Sequence, residues 1–338
     1  MKSSGIGGQA VLEGIMMRNG GKYAVAVRKP DKEIIIDVKE HVGLTDKYKF
    51  LNVPFVRGVF KFIESMVIGI KTLTYSAEFF EEEDDKDKKV SSEETEVEKV
   101  ESNAEEKKDK DSKLESFFMA LTVCFSVLFS VGLFIVLPFF IGEFFRKIVG
   151  IESNTVIAIF EGIARISIFI LYLVLISKMK DIQRTFMYHG AEHKCINCIE
   201  HGMELNVENV KKSSRLHKRC GTSFLLFVVV ISIISFILVS AIIPAASTGW
   251  LKLVVRLALI PVIAGISFEI LRLAGNSDGK IIGILSKPGM WLQNLTTIEP
   301  EDDMIEVGIA SVEAIFDWKK YLEENFKNGS LDDVKVEE

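Results

Sequence analysis

Residues 224–243 read FLLFVVVISIISFILVSAII, twenty positions without a charged side chain. A helix rises about 1.5 Å per residue, so this run alone reaches across the roughly 30 Å of hydrocarbon in a bilayer. Working outward, three more long apolar runs appear: Phe117–Ile141, Val156–Ile176 and Leu251–Leu271. Four such segments predict membrane-spanning helices rather than the buried helices of a soluble domain. The first three carry almost no charge, whereas Arg256, Glu269 and Arg272 accompany the fourth. Composition agrees. The 338 residues are 48% hydrophobic and 26% charged with a mean hydropathy of +0.26, so apolar and charged residues must be segregated along the chain. A net charge of −6 argues against a general nucleic-acid binder, and no nucleic-acid partner is expected.

Lysine and arginine set the expected orientation. Lys107, Lys108, Lys110 and Lys113 precede the first span, and only Arg146 and Lys147 follow it. The connection after the second span is strongly basic, with Lys178, Lys180, Arg184, Lys194, Lys211, Lys212, Arg215, Lys218 and Arg219. Both termini and this central connection are therefore expected in the cytoplasm, in a multi-pass protein of the cell membrane. Met1–Arg18 lacks a basic segment followed by an apolar run, so no cleavable signal peptide is expected.

The expected fold class is an α-helical polytopic membrane protein with about four spans, an interfacial helix and a small N-terminal β-hairpin. Residues 1–50 form a cytoplasmic β-containing element, in which Tyr23–Arg28 and Glu33–Val38 are strand-like runs around Lys29-Pro-Asp-Lys32. Gly5–Gly8 is expected to be flexible or tightly turning, since no strand precedes it and no Walker lysine follows. Residues 52–80 read as an amphipathic helix in the membrane interface. Val56, Val59, Phe60, Ile63, Val67, Ile70 and Leu73 recur at helical spacing, with Arg57, Lys61, Glu64 and Lys71 opposite. Residues 81–113 form an acidic, disordered linker. Spans one and two occupy 114–177, a cytoplasmic metal-binding loop 178–222, spans three and four 223–274, and a cytoplasmic C-terminal segment with one amphipathic helix 275–338.

The chemistry concentrates in residues 188–223, which hold four of the five histidines and three of the four cysteines. In a reducing compartment, thiols beside imidazoles point to a metal, zinc above all. Two constellations overlap there. His189-Gly-Ala-Glu-His193 places two imidazoles at i and i+4, with Glu192 beside them in the His-x-x-Glu-His order of inverzincin peptidases. Cys195-x-x-Cys198 with His217-x-x-Cys220 has the spacing of a closed structural zinc site. Spacing leaves both open. Cys124, inside the first span, reads as a packing residue.

Several motifs resemble the YqhQ-like family of bacterial membrane proteins. They are Gly7-Gly-Gln-Ala-Val-Leu-Glu-Gly14 with Met16-Met-Arg18, Tyr188–Lys194, His217-Lys-Arg-Cys-Gly-Thr-Ser-Phe224, and Pro288-Gly-Met-Trp-Leu-Gln293. The likeness covers nearly the whole chain except the acidic linker. It implies a metal-dependent enzyme without an established reaction, centred on the His189/Glu192/His193 and His217/Cys220 blocks. It also favours an open site built from His189, His193 and one or both of His217 and Cys220.

These readings together lead to a zinc-dependent hydrolase at the cytoplasmic membrane surface, acting on a lipid, an isoprenoid or a membrane peptide. Glu192 would move the proton, and Arg219 or Arg272 would stabilise negative charge. The alternative is a non-enzymatic scaffold or biogenesis factor with structural zinc. Oligomerisation is compatible with either. Glu269 and Arg272 read as a local ion pair or as a reach toward the metal region, and Glu13 and Arg18 as residues that dock onto it. His201 and Glu200 are as readily exposed as liganding, and His41 reads as a surface residue.

Overall fold

The structure, a computed structural model, describes residues 2–90, 118, 120–243, 249–276 and 280–326. Most of the anticipated acidic linker lies outside the described residues. The chain divides into two compact units, one of residues 1–82, 172–232 and 259–338, the other of 83–171 and 233–258.

The first unit is built on a four-stranded antiparallel meander: β1 (Ile6–Val11), β2 (Gly14–Asn19), β3 (Lys22–Arg28) and β4 (Ile34–Glu40), in sequence order. The expected hairpin is β3–β4, with Arg28 opposite Ile34. The glycine-rich start corrects the reading of a flexible segment, because Ile6–Val11 pairs along its length with β2. Strand β3 is buried from Tyr23 to Val27, since both faces of the sheet are covered. Val11, Met16, Val25 and Val27 pack on Ile68 of α1 (Val56–Val90), and Ile15, Met17 and Ala26 pack against helices from the far end of the chain.

Helix α1 runs through Val90, so residues 81–90, expected in the linker, are helical. Three residues of its polar stripe face the protein, while Lys71 is exposed: Arg57 pairs with Glu269 at 2.6 Å, Lys61 with Asp46 at 3.4 Å, and Glu64 with Arg18 at 2.5 Å. Val56, Ile63, Val67, Ile70 and Leu73 are exposed.

The second unit contains α2 (Ala120–Val149) and most of α3 (Asn154–Ile176). A π turn at Gly132–Val136 interrupts the regular ladder of α2, and the Phe134 carbonyl accepts a 2.8 Å hydrogen bond from Arg165 Nε. The segment expected to be almost uncharged also holds Glu161, buried between Lys252 and Arg256, with Lys252 Nζ at 2.6 Å.

The connection 178–222, expected as a loop, is mostly α4 (Lys180–Glu200), buried throughout Gly190–Glu200, followed by the short α5 (Val207–Lys212). Then come α6 (Gly221–Ile242), α7 (Gly249–Asn276), α8 (Lys280–Thr296), α9 (Asp302–Ile315) and α10 (Trp318–Phe326). The single C-terminal helix of the sequence reading is therefore two helices, broken at Phe316 and Asp317. Among the described residues four helices, α2, α3, α6 and α7, are long and apolar enough to cross a membrane. Helix α9 packs in the core with α4 and the sheet, and Ser311 donates a 3.1 Å hydrogen bond to the Ile15 carbonyl.

Candidate functional site

Helix α4 carries His189 and His193 one turn apart, and their rings lie 4.4 Å apart between centroids. The segment between α5 and α6 brings Cys220 to them, with Sγ 3.1 Å from His189 Nε2. One ligand atom from each of the three lies within 4.8 Å of the others, so His189, His193 and Cys220 could together hold a metal ion.

The surroundings fix which nitrogens are available. His189 Nδ1 is 2.8 Å from the Thr296 carbonyl and His193 Nδ1 is 2.7 Å from the Arg215 carbonyl. A carbonyl only accepts, so each Nδ1 carries a proton and each Nε2 is the nitrogen a metal ion could take, in the place of any proton His189 Nε2 shares with Cys220. This is the orientation that histidine ligands ordinarily require from their backing groups. His193 Nε2 is buried with no hydrogen-bond partner among the described residues. Such an atom is costly unless something occupies the site.

The backing groups are themselves held. Asn197 Nδ2 donates to the Ser214 and Leu216 carbonyls at 2.7 and 2.9 Å, pinning the strand of chain that presents Arg215. Gln293 of α8, fully buried, accepts from His217 N and donates to the His217 carbonyl, both at 2.8 Å. Gly190 makes room on α4, because a Cβ there would lie 2.1 Å from the Ile298 carbonyl oxygen.

Charge is strongly perturbed. Burial raises the Cys220 thiol, but His189 and His193 overcome this and hold it well below its usual value. The Thr222 N–H at 3.4 Å and its hydroxyl at 3.1 Å, in the first turn of α6, add donors to the sulfur. Burial lowers the His189 imidazole, yet Cys220 and Glu192 outweigh it and raise it to about 9. Glu192, also on α4, is pushed up by burial, with His189, His193 and the Gly8 N–H opposing. Its Oε2 has no partner among the described residues.

The remaining expected residues separate. Counting about 100° per residue along α4, Cys198 falls roughly opposite His189 and Cys195 about a third of a turn away. Their surroundings agree: Cys195 Sγ faces the Ile305 carbonyl in the core, and Cys198 Sγ faces the Met203 and Glu204 carbonyls. Neither joins the cluster. His217 stands beside it, 5.6 Å from His193 between ring centroids, but its Nε2 is turned to Glu200 at 3.5 Å. Burial lowers the His217 imidazole despite that carboxylate. Arg219 reaches the same Glu200 and donates to Ser3 Oγ at 2.9 Å. Glu200, open in the sequence reading, is buried, and His201 is exposed at the end of α4. Arg272 is exposed on α7 and outside the cleft, and Glu269 is clasped by Arg57 rather than by Arg272 alone. Glu13 docks on α4 through Arg184 and Tyr188, whereas Arg18 binds Glu64 on α1. His41, expected to stand apart, lies 3.1 Å from Glu64.

Sequence reasoning did not single out Gly8, Arg215, Thr296 or Gln293. Gly8 and Gln293 lie inside motifs already conspicuous, but the carbonyls of Arg215 and Thr296 leave no mark in side-chain chemistry.

Ile6–Ala10, His189, Glu192, Arg219, Cys220 and Thr222 line a cleft of about 430 Å³. Apolar helices and a buried two-histidine, one-cysteine cluster at a cleft define the class: a multi-pass membrane protein with a candidate metal centre. The chain belongs to the family described as "Protein of unknown function (DUF1385)", which it matches over residues 53–318. It is 36% identical over 327 residues to "Uncharacterized protein YqhQ" of Bacillus subtilis (strain 168), covering 95% of each chain. No solved structure matches. Neither description names an activity.

Proposed function

We propose that this protein is a zinc-dependent hydrolase of the cell membrane, with both termini and the site on the cytoplasmic side. The observation that carries the reading is the cluster itself: two histidines oriented through Nδ1 and one cysteine, of which His189 and Cys220 line a cleft. Three protein ligands with a free position are the pattern of catalytic rather than structural zinc. The separation of Cys195 and Cys198 from the cluster weighs against the closed four-ligand alternative. Zinc suits neutral imidazoles and a thiolate, and when bound it supplies Lewis acidity and a water of lowered pKa.

The chain's own residues do the rest. Glu192, held in a buried site that raises its proton affinity, takes a proton from the attacking water and returns it to the leaving group. Thr296 and Arg215 keep the imidazoles oriented. Arg219, neutralised by Glu200, shapes the cleft more than it offers free positive charge. The lysine and arginine distribution supports the cytoplasmic placement, and the outward apolar face of α1 suits a lipid surface.

The test is metal content and function in parallel. Purified protein should bind one zinc, lost in His189→Ala, His193→Ala and Cys220→Ala but kept in the Cys195→Ser, Cys198→Ser double variant. Glu192→Gln should keep zinc yet lose complementation of a deletion strain, since general acid–base catalysis contributes on the order of 10²–10⁴-fold. Full complementation by Glu192→Gln would overturn the hydrolase.

A further inference from the structure

Strand β1 is an edge. The two-residue connection makes Val11 and Gly14 the closing pair of a hairpin, with both bonds exchanged, so Gln9 and Gly7 also bond to β2. The backbone groups of Ile6, Gly8 and Ala10 therefore point away from the sheet. Part of this edge is engaged: the Ile6 N–H donates to Ser4 Oγ at 3.2 Å, the Ile6 carbonyl accepts from Arg219 at 3.4 Å, and the Gly8 N–H faces Glu192. The Gly8 carbonyl and both backbone groups of Ala10 make no hydrogen bond with any described residue.

An unpaired edge is a template for another strand, and proteins usually blunt it with lysine, proline or a covering segment. The sequence Ile-Gly-Gly-Gln-Ala-Val has neither lysine nor proline, and although α4 packs along this strand, with Glu192 against Gly8, both Gly7 and Gly8 are exposed. This edge is also a wall of the cleft that holds the cluster. A second cleft of about 380 Å³ shares Gly7, Gly8, Gln9 and Ser65 with the first, so both open on one stretch of strand.

We propose that the free edge of β1 docks an extended polypeptide as an added strand and carries one of its peptide bonds to His189, His193 and Cys220. The inference rests on the hydrolase reading and names its substrate class. A strand presents main-chain donors and acceptors at the period of the edge, which is how strand addition gains affinity. A lipid tail or isoprenoid offers no such groups. A phosphate would want free cations, and Arg219 is already bound to Glu200. In the reaction, water oxygen bonds to the carbonyl carbon and the C–N bond breaks. Glu192 passes one water proton to the leaving nitrogen, the second moves from the new carboxyl group to the released amine, and the products are a carboxylate and an ammonium.

Gly7 gives the test. A Cβ there meets no atom within 4 Å, so a side chain starts in open space on the cleft wall, and the zinc content and melting temperature report whether the free protein accepts it. Zinc-loaded full-length protein in nanodiscs is incubated with a randomised decapeptide mixture and, separately, with a short-chain acyl ester, and products are read by mass spectrometry. The expected result is cleavage of peptides. Gly7→Val should lower kcat/KM at least tenfold with zinc content and melting temperature unchanged. N-methylation of the best peptide should cost at least tenfold at alternate backbone nitrogens, a readout that needs no protein variant. Ester hydrolysis without peptide cleavage overturns the inference and leaves the hydrolase standing. Peptide cleavage indifferent to both Gly7→Val and N-methylation overturns edge docking alone. A dimer dissolved by Gly7→Val, with no peptide cleaved, reassigns the edge to a second copy. Hydrolysis of neither probe by zinc-loaded protein removes the hydrolase and the inference together.

Discussion

Gly190→Ala should disable the candidate metal centre from outside its ligand set. The added Cβ would sit 2.1 Å from the Ile298 carbonyl oxygen, with the Ile298 carbonyl carbon at 3.3 Å and Pro300 Cδ at 3.5 Å. The nearest obstacle is backbone, so no rotamer relieves the overlap, and the chain after α8 must move away from α4. That movement strains the hydrogen bond from the Ile298 N–H to the Phe186 carbonyl, 3.0 Å long. Overpacking costs about 1–3 kcal/mol and a lost hydrogen bond about 1 kcal/mol, so the expected loss is on the order of 2–4 kcal/mol. Thr296, two residues before Ile298, orients His189 through its carbonyl. Loss of such backing groups typically lowers metal affinity about 10–100-fold. Chelator-competition titration of zinc, with a thermal melt in the same nanodiscs, measures both. Unchanged zinc affinity and an unchanged melt would refute the account of why His189 is followed by glycine.

Two further predictions concern buried charge. Glu161→Leu leaves Arg256 without its carboxylate, while Lys252 keeps Glu143 at 3.2 Å, and an unpaired buried charge typically costs about 3–5 kcal/mol. Denaturant unfolding in mixed micelles should show a loss of that order, smaller when Lys252→Leu and Arg256→Leu are added, and equal stability would refute the ion cluster. Glu200 is raised by burial but pulled further down by His217 and Arg219, to about 2 against an ordinary 4.5. A carboxyl depressed in the folded state stabilises above its unfolded value and loses that contribution as pH falls through its folded one. The term, on the order of 3 kcal/mol by linkage, should therefore vanish between about pH 4.5 and 2. Melts against pH should show this acid limb in the native protein and a flatter one in Glu200→Gln.

Much of the architecture could be read directly because periodicity and length are local properties. An uncharged run such as Phe224–Ile243 has one physical solution, and α6 adopts it. The β3–β4 hairpin was legible because β-branched residues flank a turn, whereas β1 was hidden by Gly7 and Gly8, which carry no strand propensity of their own. Their strand is specified by pairing with β2 and by Glu192, whose Cδ lies 2.8 Å from where a Gly8 Cβ would be. Glu161 illustrates a different limit. One acid in a hydrophobic run reads as an exception, and its partners Lys252 and Arg256 lie far along the chain.

The ligand set shows where spacing ceases to decide. A Cys-x-x-Cys pair binds zinc when a turn lets both sulfurs converge, and the sequence reading assumed such a loop. Because α4 continues to Glu200, helical geometry dictates instead that Cys195 and Cys198 diverge from the face of His189 and His193. The helix continues because that opposite face is core: Cys195, Cys198 and Ile199 pack with Met304, Ile305 and Val312 of α9. Burial of this face by the C-terminal helices therefore selects the candidate ligands, leaving the histidines to be joined by Cys220 from the segment before α6. The same packing orders the backing carbonyls, since the chain entering α9 runs past Gly190 directly from Thr296. A terminal helix remote from the chemistry thus determines which two of the four sulfur and nitrogen donors on α4 can share an ion.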